Sequence, residues 1–481
     1  MNQKMEFGDF QTPRTLCNQV CDILTNLDIH PETIIEPTCG KGTFLKASID
    51  AFPSCQHILG FEINPDYIKA TKSIHQATIT QADFFELEWN KILNKTPQPI
   101  LVLGNPPWVT NTSISIFNGS NLPKKSNTVK HRGIDAITGE SNFDISEWMI
   151  FHMLKHLSGK NATLGMLCKT SVARRVLKRA WHSAFEIKNS LIRPIDSDDF
   201  FNVSVDACLL ICLLEKGSIH QSCSVYSHLE SRKPTSRWVL KNNSMIHHFK
   251  GGQNFEKYCG QSPLKWRSGV KHDCVNVLEL KTDGKQFKNG FGDVFPLEGD
   301  YVYPMLKSSD LAKSNGQHFR YMLVTQKTIG EDTEKIKTES PLTWLYLKKY
   351  ENDLDRRASI VYQKQPKFSI FGIGDYAFAP WKIAISGFYK HLYFRLIGPI
   401  SQKPVMLDDT CYFLPFHSKK DALSVLKMLQ SEKAIGFFKT RIFWDAKRPI
   451  TAKILKELDL SVLSEELNIP LPQPFERYDT A

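Results

Sequence analysis

The apolar positions of the chain change rhythm along its length. Through the first 215 residues, short apolar runs alternate with amphipathic stretches. "ETIIEP" (32–37) is a β-branched run that ends in the turn-forming "TCGKG", and "TFLKASIDAF" (43–52) follows with helical spacing, closed by Pro53. The alternation continues through "HILGFEI", a helical "NPDYIKATKSIH", "ATITQA" and "ILVLG" (100–104). Beyond them come a helical "WMIFHMLKHL", the strand "ATLGMLC", a helical "ARRVLKRAWHSAF" and the strand "SVDACLLICLLEK". Such alternation predicts an α/β fold, with a mostly parallel sheet and helices on both faces. Ligands of such sheets bind at the carboxyl ends of the strands.

After residue 215 the runs become shorter and more aromatic: "FSIFGIGDYAFAPWKIAISGF" (368–388), "YFRLIGPI" and "VMLDDTCYFLPF" read as strands with turns. Helices are expected near "KDALSVLKMLQ" and "AKILKELDL". A chain of 481 residues has room for two or three domains at roughly 150 residues each. The change of rhythm predicts two, an α/β domain over 1–215 and an α+β domain over 216–481.

Charge sharpens the division. Residues 1–214 hold 21 basic and 21 acidic side chains, which leaves 40 and 29 for the rest, so the whole formal charge of +11 falls in the second part. That asymmetry is the footprint of a polyanion partner. The longest apolar run, "ACLLICLL" (207–214), is far short of the ~18 residues of a membrane span. The opening "MNQKMEFGDF" lacks a basic-then-apolar export pattern. A cytoplasmic protein without a membrane partner is expected. The 11 cysteines show no CxxC pair, which argues for reduced thiols and no metal site.

Candidate chemistry stands at four consecutive predicted strand ends. After the first come Glu36 and the glycines Gly40 and Gly42, which allow close backbone approach ahead of a helix N-terminus. After the second stands Glu62, at the offset of a ribose-hydroxyl ligand. The third ends in Asp83-Phe84, an acceptor beside a ring, which suits an adenine. The fourth ends in Asn105-Pro106-Pro107-Trp108, where two prolines stop the strand abruptly. Together they predict a nucleoside-type cofactor site. The polar stretch 109–142 that follows is long enough to be functional, and Lys124, Lys125, Lys130, His131 and Arg132 in it are expected near the phosphates of a polyanion partner.

In order and spacing these motifs resemble the gamma-class amino-methyltransferases that act on DNA in restriction–modification systems. The resemblance is dense over residues 7–215. It rests on "GDFQTP" (8–13), "EPTCGKGTF", "GFEINPDY", "ADFF", "NPPW", "SNFDISEWMIFHML", "LGMLCKTS" and "DFFNVSVDACLLI". The family's Rossmann-like sheet is thereby implied, with a C-terminal target-recognition domain; "DDTCYFLPF" and "FKTRIFWDAKRPIT" resemble segments of the latter. The implied cofactor is S-adenosylmethionine. It would be held by Phe10, Thr12 and Pro13 at its methionine end, and by Glu36, Thr38, Gly40, Gly42, Glu62, Ile63, Asp83, Phe84 and Asn105. The implied reaction is adenine-N6 methylation of duplex DNA by a monomer, with a separately encoded restriction endonuclease acting on the same site.

The chemistry of NPPW suits that reaction. An exocyclic amine has its lone pair delocalised into the ring, and two acceptors on its protons favour a tetrahedral nitrogen. The Asn105 side-chain oxygen and the Pro106 carbonyl can be those acceptors, which is catalysis by positioning and electrostatics. The base must leave the duplex stack. Trp108 is the natural platform for it, and Phe201 covers its other face by the family's pattern, with Phe200 as the neighbouring candidate. Methylation of RNA or of protein glutamine is an alternative. A fused nuclease is another, because Asp273, Glu279 and Lys281 have the D…ExK spacing of a magnesium nuclease.

Overall fold

The computed structural model describes residues 11–109, 144–249, 254–282, 284, 286–313 and 320–475. The chain divides into two compact units, Met1–Gly252 and Gln253–Ala481.

In the first unit the elements run α1 (Arg14–Thr25), β1 (Thr33–Glu36), α2 (Thr43–Ala51), β2 (His57–Glu62), α3 (Pro65–Thr71), β3 (Thr78–Gln81), α4 (Trp89–Lys95) and β4 (Ile100–Gly104). They continue with α5 (Ile145–Leu157), β5 (Ala162–Lys169), α6 (Thr170–His182), β6 (Ile187–Ile195), α7 (Ser197–Phe201), β7 (Ala207–Leu214), β8 (Ser222–Val225), β9 (Ser236–Lys241) and β10 (Ser244–Phe249). The strands β1–β10 form one ten-stranded sheet in the order β10-β9-β8-β6-β7-β5-β4-β1-β2-β3. The run β3-β2-β1-β4-β5 is parallel, and β7 inserts antiparallel between β5 and β6. Every residue of β1 and β4 is buried, as expected where helices cover both faces. This is a Rossmann-like arrangement, and the strand order turns outward in both directions from β1 and β4. Their carboxyl ends therefore sit at the topological switch point.

Two parts of this unit escape the periodicity. In β6, "IKNSLIRPI", polar residues and Pro194 break the apolar run. Proline is tolerated there because pairing with β8 covers only Leu191 and Ile192, so no ladder donor is missing on that side. The sheet also runs on past residue 215, where the sequence pattern ended the first domain. Strands β8–β10 are short and half polar, and they attach at its edge. Dividing the chain at residue 252 gives formal charges of +4 and +7 to the two units.

The second unit contains a four-stranded sheet, β11 (Arg267–Ser268), β20 (Cys411–Phe416), β17 (Trp381–Ser386) and β18 (Arg395–Ile397). A six-stranded sheet holds β14 (Val294–Phe295), β13 (Phe287–Lys288), β12 (Glu279–Thr282), β16 (Arg320–Leu323), β15 (Val302–Leu306) and β19 (Met406–Leu407). Helices Lys419–Leu429 and Glu432–Arg441 share a buried apolar cluster with β17 and β20. The unit is α+β. Of the stretch 368–388 only Trp381–Ser386 is a strand; Gly372, at φ +68°, and the 3-10 turn Asp375–Phe378 interrupt the rest.

Candidate active site

The ends of β1 and β2 face one loop. Glu36 closes β1 with 3% of its surface exposed. One of its carboxylate oxygens is buried with no hydrogen-bond partner among the described residues. Burial pushes its carboxyl well above the usual range, and the nearby Glu62 charge adds to the effect. The loop after it turns through Gly40 (φ +51°) and Gly42 (φ +75°), conformations that suit glycine. A Cβ on Gly42 would lie 2.4 Å from the Ile74 side chain. Glu62 ends β2 and binds this loop: its Oε2 accepts from the Gly40 amide at 2.7 Å, and Oε1 from the Asn64 amide at 2.8 Å. The Gln11 side chain covers the loop, accepting from the Lys41 amide at 3.3 Å. Gln11 stands inside "GDFQTP" but carried no signal of its own.

Beside Glu62, Ile63 is 45% exposed, an apolar surface next to a carboxylate. Asp83 follows β3, half-buried, and its Oδ1 accepts from the Phe85 amide at 2.9 Å. Phe84 points into the core rather than outward. It is 5% exposed and packs against Trp89 at 5.0 Å and Phe85 at 5.7 Å between ring centroids.

At the end of β4 the chain passes through Gly104 (φ +155°), whose Cβ would contact the Glu36 side chain at 3.5 Å. Asn105 thus emerges beside Glu36. Its amide donates from Nδ2 to Thr12 Oγ1 at 3.2 Å, which ties the segment before α1 to the end of β4. Pro106 is buried, and Trp108 is 6% exposed with its indole N–H on the Leu167 carbonyl at 3.4 Å. Trp108 and Phe201 meet edge to face, with centroids 5.2 Å apart and planes at 69°. Rings in that relation touch each other and do not flank a slot. Holding a base between them requires about 7–8 Å, two carbon–carbon contacts in series.

Behind Trp108 lies an ion pair. Lys169, at the end of β5, donates to the Trp108 carbonyl at 3.2 Å and to Asp144 Oδ2 at 2.8 Å. Asp144 is 2% exposed and caps α5 by accepting from the Ser146 amide. The Ile145 amide donates to the Val109 carbonyl at 3.0 Å. The main chain leaving NPPW is therefore held at two successive carbonyls.

No protein-family model matches the chain. Among curated proteins, the type II methyltransferase M.NspV of Nostoc sp. is 43% identical over 470 residues, 96% of this chain and 98% of that one. The chain belongs to the type II methyltransferases. A second type II methyltransferase, M.CvrRI of Paramecium bursaria Chlorella virus XZ-6E, is 28% identical over 108 residues, 22% of this chain and 26% of its own. Among solved structures, the type IIL restriction–modification enzyme MmeI in complex with DNA is similar in fold, with a TM-score of 0.55 at 14% identity. The likeness covers 96% of this chain and 68% of that one.

The methyl donor implied by that membership is S-adenosylmethionine, and the residues of the methyltransferase fit it. Glu36 offers a buried acceptor oxygen without a partner, suited to an ammonium group. Glu62 is an acceptor fixed by two amides, and Ile63 is an exposed apolar surface beside it. Thr12 reaches Asn105, Pro13 directly precedes α1, and Thr38, Gly40 and Gly42 lie in the loop after β1, whereas Phe10 lies outside the described residues. Lys124, Lys125, Lys130, His131 and Arg132 also lie outside them.

In the second unit, the D…ExK spacing does not assemble an acid pair. Asp273 contacts Lys271 at 3.4 Å, while Glu279 is held by Lys307 at 2.5 Å and His272 at 3.3 Å. These basic partners occupy the carboxylate that a magnesium ion would need. Lys281 is exposed, paired across the strands with Lys288. Among the described residues, no group of three or more His, Cys, Asp or Glu side chains comes together to hold a metal.

Proposed function

We propose that the chain is a gamma-class, NPPW-type DNA adenine-N6 methyltransferase, the modification component of a restriction–modification system. The observation that carries this reading is the placement of Asn105-Pro106-Pro107-Trp108. It emerges from β4 beside Glu36, at the sheet's switch point, with Asn105 steered by Thr12 at 3.2 Å. S-adenosylmethionine supplies an electrophilic methyl group on sulfur when bound. Glu36 and Glu62 then act as its acceptors, and the Gly40–Gly42 loop lets the backbone approach it. Asn105 Oδ1 and the Pro106 carbonyl accept from the adenine amine and localise its lone pair. Proline at 106 and 107 limits how far that carbonyl can stray. A neutral amide suffices, since the product proton leaves to solvent after transfer.

Trp108 supplies the stacking face, worth roughly 1–3 kcal/mol per base. Phe201 has to swing away from Trp108 for a base to enter, and its edge-to-face contact is what that base replaces. The second unit, at +7, supports a target-recognition role. Asn105→Ala tests the assignment. The variant should still bind cofactor and duplex DNA and, at saturating cofactor, lose about 10²–10³ in methylation rate, as when one preorganised hydrogen-bonding group is removed. Methylation at the wild-type rate would falsify the assignment.

A further inference from the structure

The second unit carries an open pocket, mainly apolar with a few polar groups, that the methyl-transfer chemistry does not use. It measures about 370 Å³ and is lined by Lys307, Ser309, Asp408 and Thr410, with Phe388 and Tyr389 as its aromatic members. That volume lies within the range of ligand sites. Its surroundings are costly to maintain, because buried ionisable groups need partners. Asp408 is 7% exposed, and burial raises its carboxyl above the usual range, opposed in part by hydrogen bonds from Thr410 and Cys411 and least by the Lys307 charge. Thr410 Oγ1 and Cys411 Sγ donate to the same oxygen, Oδ1, at 2.5 and 3.2 Å. The cavity therefore has a fixed carboxylate whose Oδ2 can accept from a ligand. Lys307 is held in place by Glu279 at 2.5 Å and keeps further ammonium protons to donate.

The aromatic members are held equally firmly. Ser386 Oγ accepts from the Phe388 and Tyr389 amides at 3.2 and 3.3 Å. The Gly387 amide and Ser308 Oγ both donate to the Thr410 carbonyl, at 2.9 and 2.7 Å. Phe388 and Tyr389 nonetheless remain 36% and 37% exposed, with the Arg448 guanidinium 4.7 Å over the Phe388 ring. Exposed rings on a fixed turn, beside basic groups, form a preorganised surface for a nucleic acid.

We infer that this cavity reads one C·G base pair of the target site, with Asp408 accepting from the cytosine amine and Lys307 donating to guanine. A carboxylate reads the cytosine N4 amine in the major groove, and a lysine reads guanine O6 and N7, so one acceptor beside one donor matches the two edges of that pair. Ser309 and Thr410 serve as adaptable partners, and Tyr389 abuts the same base pair. The inference rests on the proposed action on DNA.

The full-length protein with S-adenosylmethionine should be presented with a random-sequence duplex library, and both the bound and the methylated pools sequenced. Wild type should return a consensus containing a C·G pair. Asp408→Asn keeps an oxygen for Thr410 and Cys411 but turns the free acceptor into a donor. It should raise acceptance of a keto-bearing base at that one position about ten-fold, with the other positions unchanged. Tyr389→Ala, a substitution at an exposed side chain, should weaken selection at the same pair. A wild-type consensus in both variants, or a loss spread evenly over all positions, overturns the assignment. A wild-type protein that selects no sequence from the library overturns the DNA reading itself.

Discussion

A carboxyl group as enclosed as Glu36 gives up its proton at a higher pH in the folded chain than in the unfolded one. Its pKa is raised by burial first and by Glu62 second. Between the unfolded value, about 4.3, and the higher folded value, folding takes up a proton, and stability falls by about 1.4 kcal/mol per pH unit. Its contribution is complete below the unfolded pKa and is lost as pH rises through the folded one. Glu36→Gln removes this slope. Thermal melts should show the variant gaining on wild type more at about pH 8 than near pH 5, while its cofactor affinity drops. An equal difference at both pH values would sink the idea. Residues of this kind were legible because each stood at a predicted strand end: Glu36, Glu62, Asp83 and Asn105 all lie where the pattern put them. Orientation was not legible. Phe84 sits beside Asp83 in sequence, yet it turns into a cluster with Trp89 and Phe85, and Ile63 is the exposed apolar neighbour of Glu62. Which way a side chain faces depends on partners far along the chain.

Among elements, the β1–α2 loop is the most constrained. Gly42 has φ +75° and faces Ile74 across a gap that a methyl group would close to 2.4 Å. Gly42→Ala should destabilise the chain by about 1–3 kcal/mol, from the left-handed backbone and the displaced Ile74, and should weaken cofactor binding as well. A denaturant midpoint equal to wild type would refute this. The parallel strands were readable because burial on both faces makes them continuous apolar runs. Strand β6 was not, since Pro194 and its polar residues survive only through the local end of pairing with β8. Helix α1 was also missed: its buried residues Leu16, Cys17, Val20, Cys21 and Leu24 form a helical stripe, but two cysteines weaken it as a signal.

On the scale of the whole molecule, charge is distributed over both units, +4 and +7, rather than confined to the second. The excess in the first unit arises in residues 215–252, a stretch the sequence rhythm had assigned to the other domain. If both units meet DNA phosphates, affinity for a duplex oligonucleotide should fall steeply with salt, with a log–log slope of about −0.9 for each phosphate neutralised. An affinity that does not change between low and moderate salt would count against it. The division of the chain was only partly legible, because β8–β10 are too short and polar to announce that they extend a sheet already complete in its parallel half.

The joint between Val109 and Ile145 separates two kinds of design freedom. The Ile145 amide bonds the Val109 carbonyl and Lys169 grips the Trp108 carbonyl, so both bonds act on main-chain oxygens. A restraint of that kind is blind to the side chain it passes. Residue types at 108 and 109 can change what the end of this segment presents without releasing the path that the backbone takes.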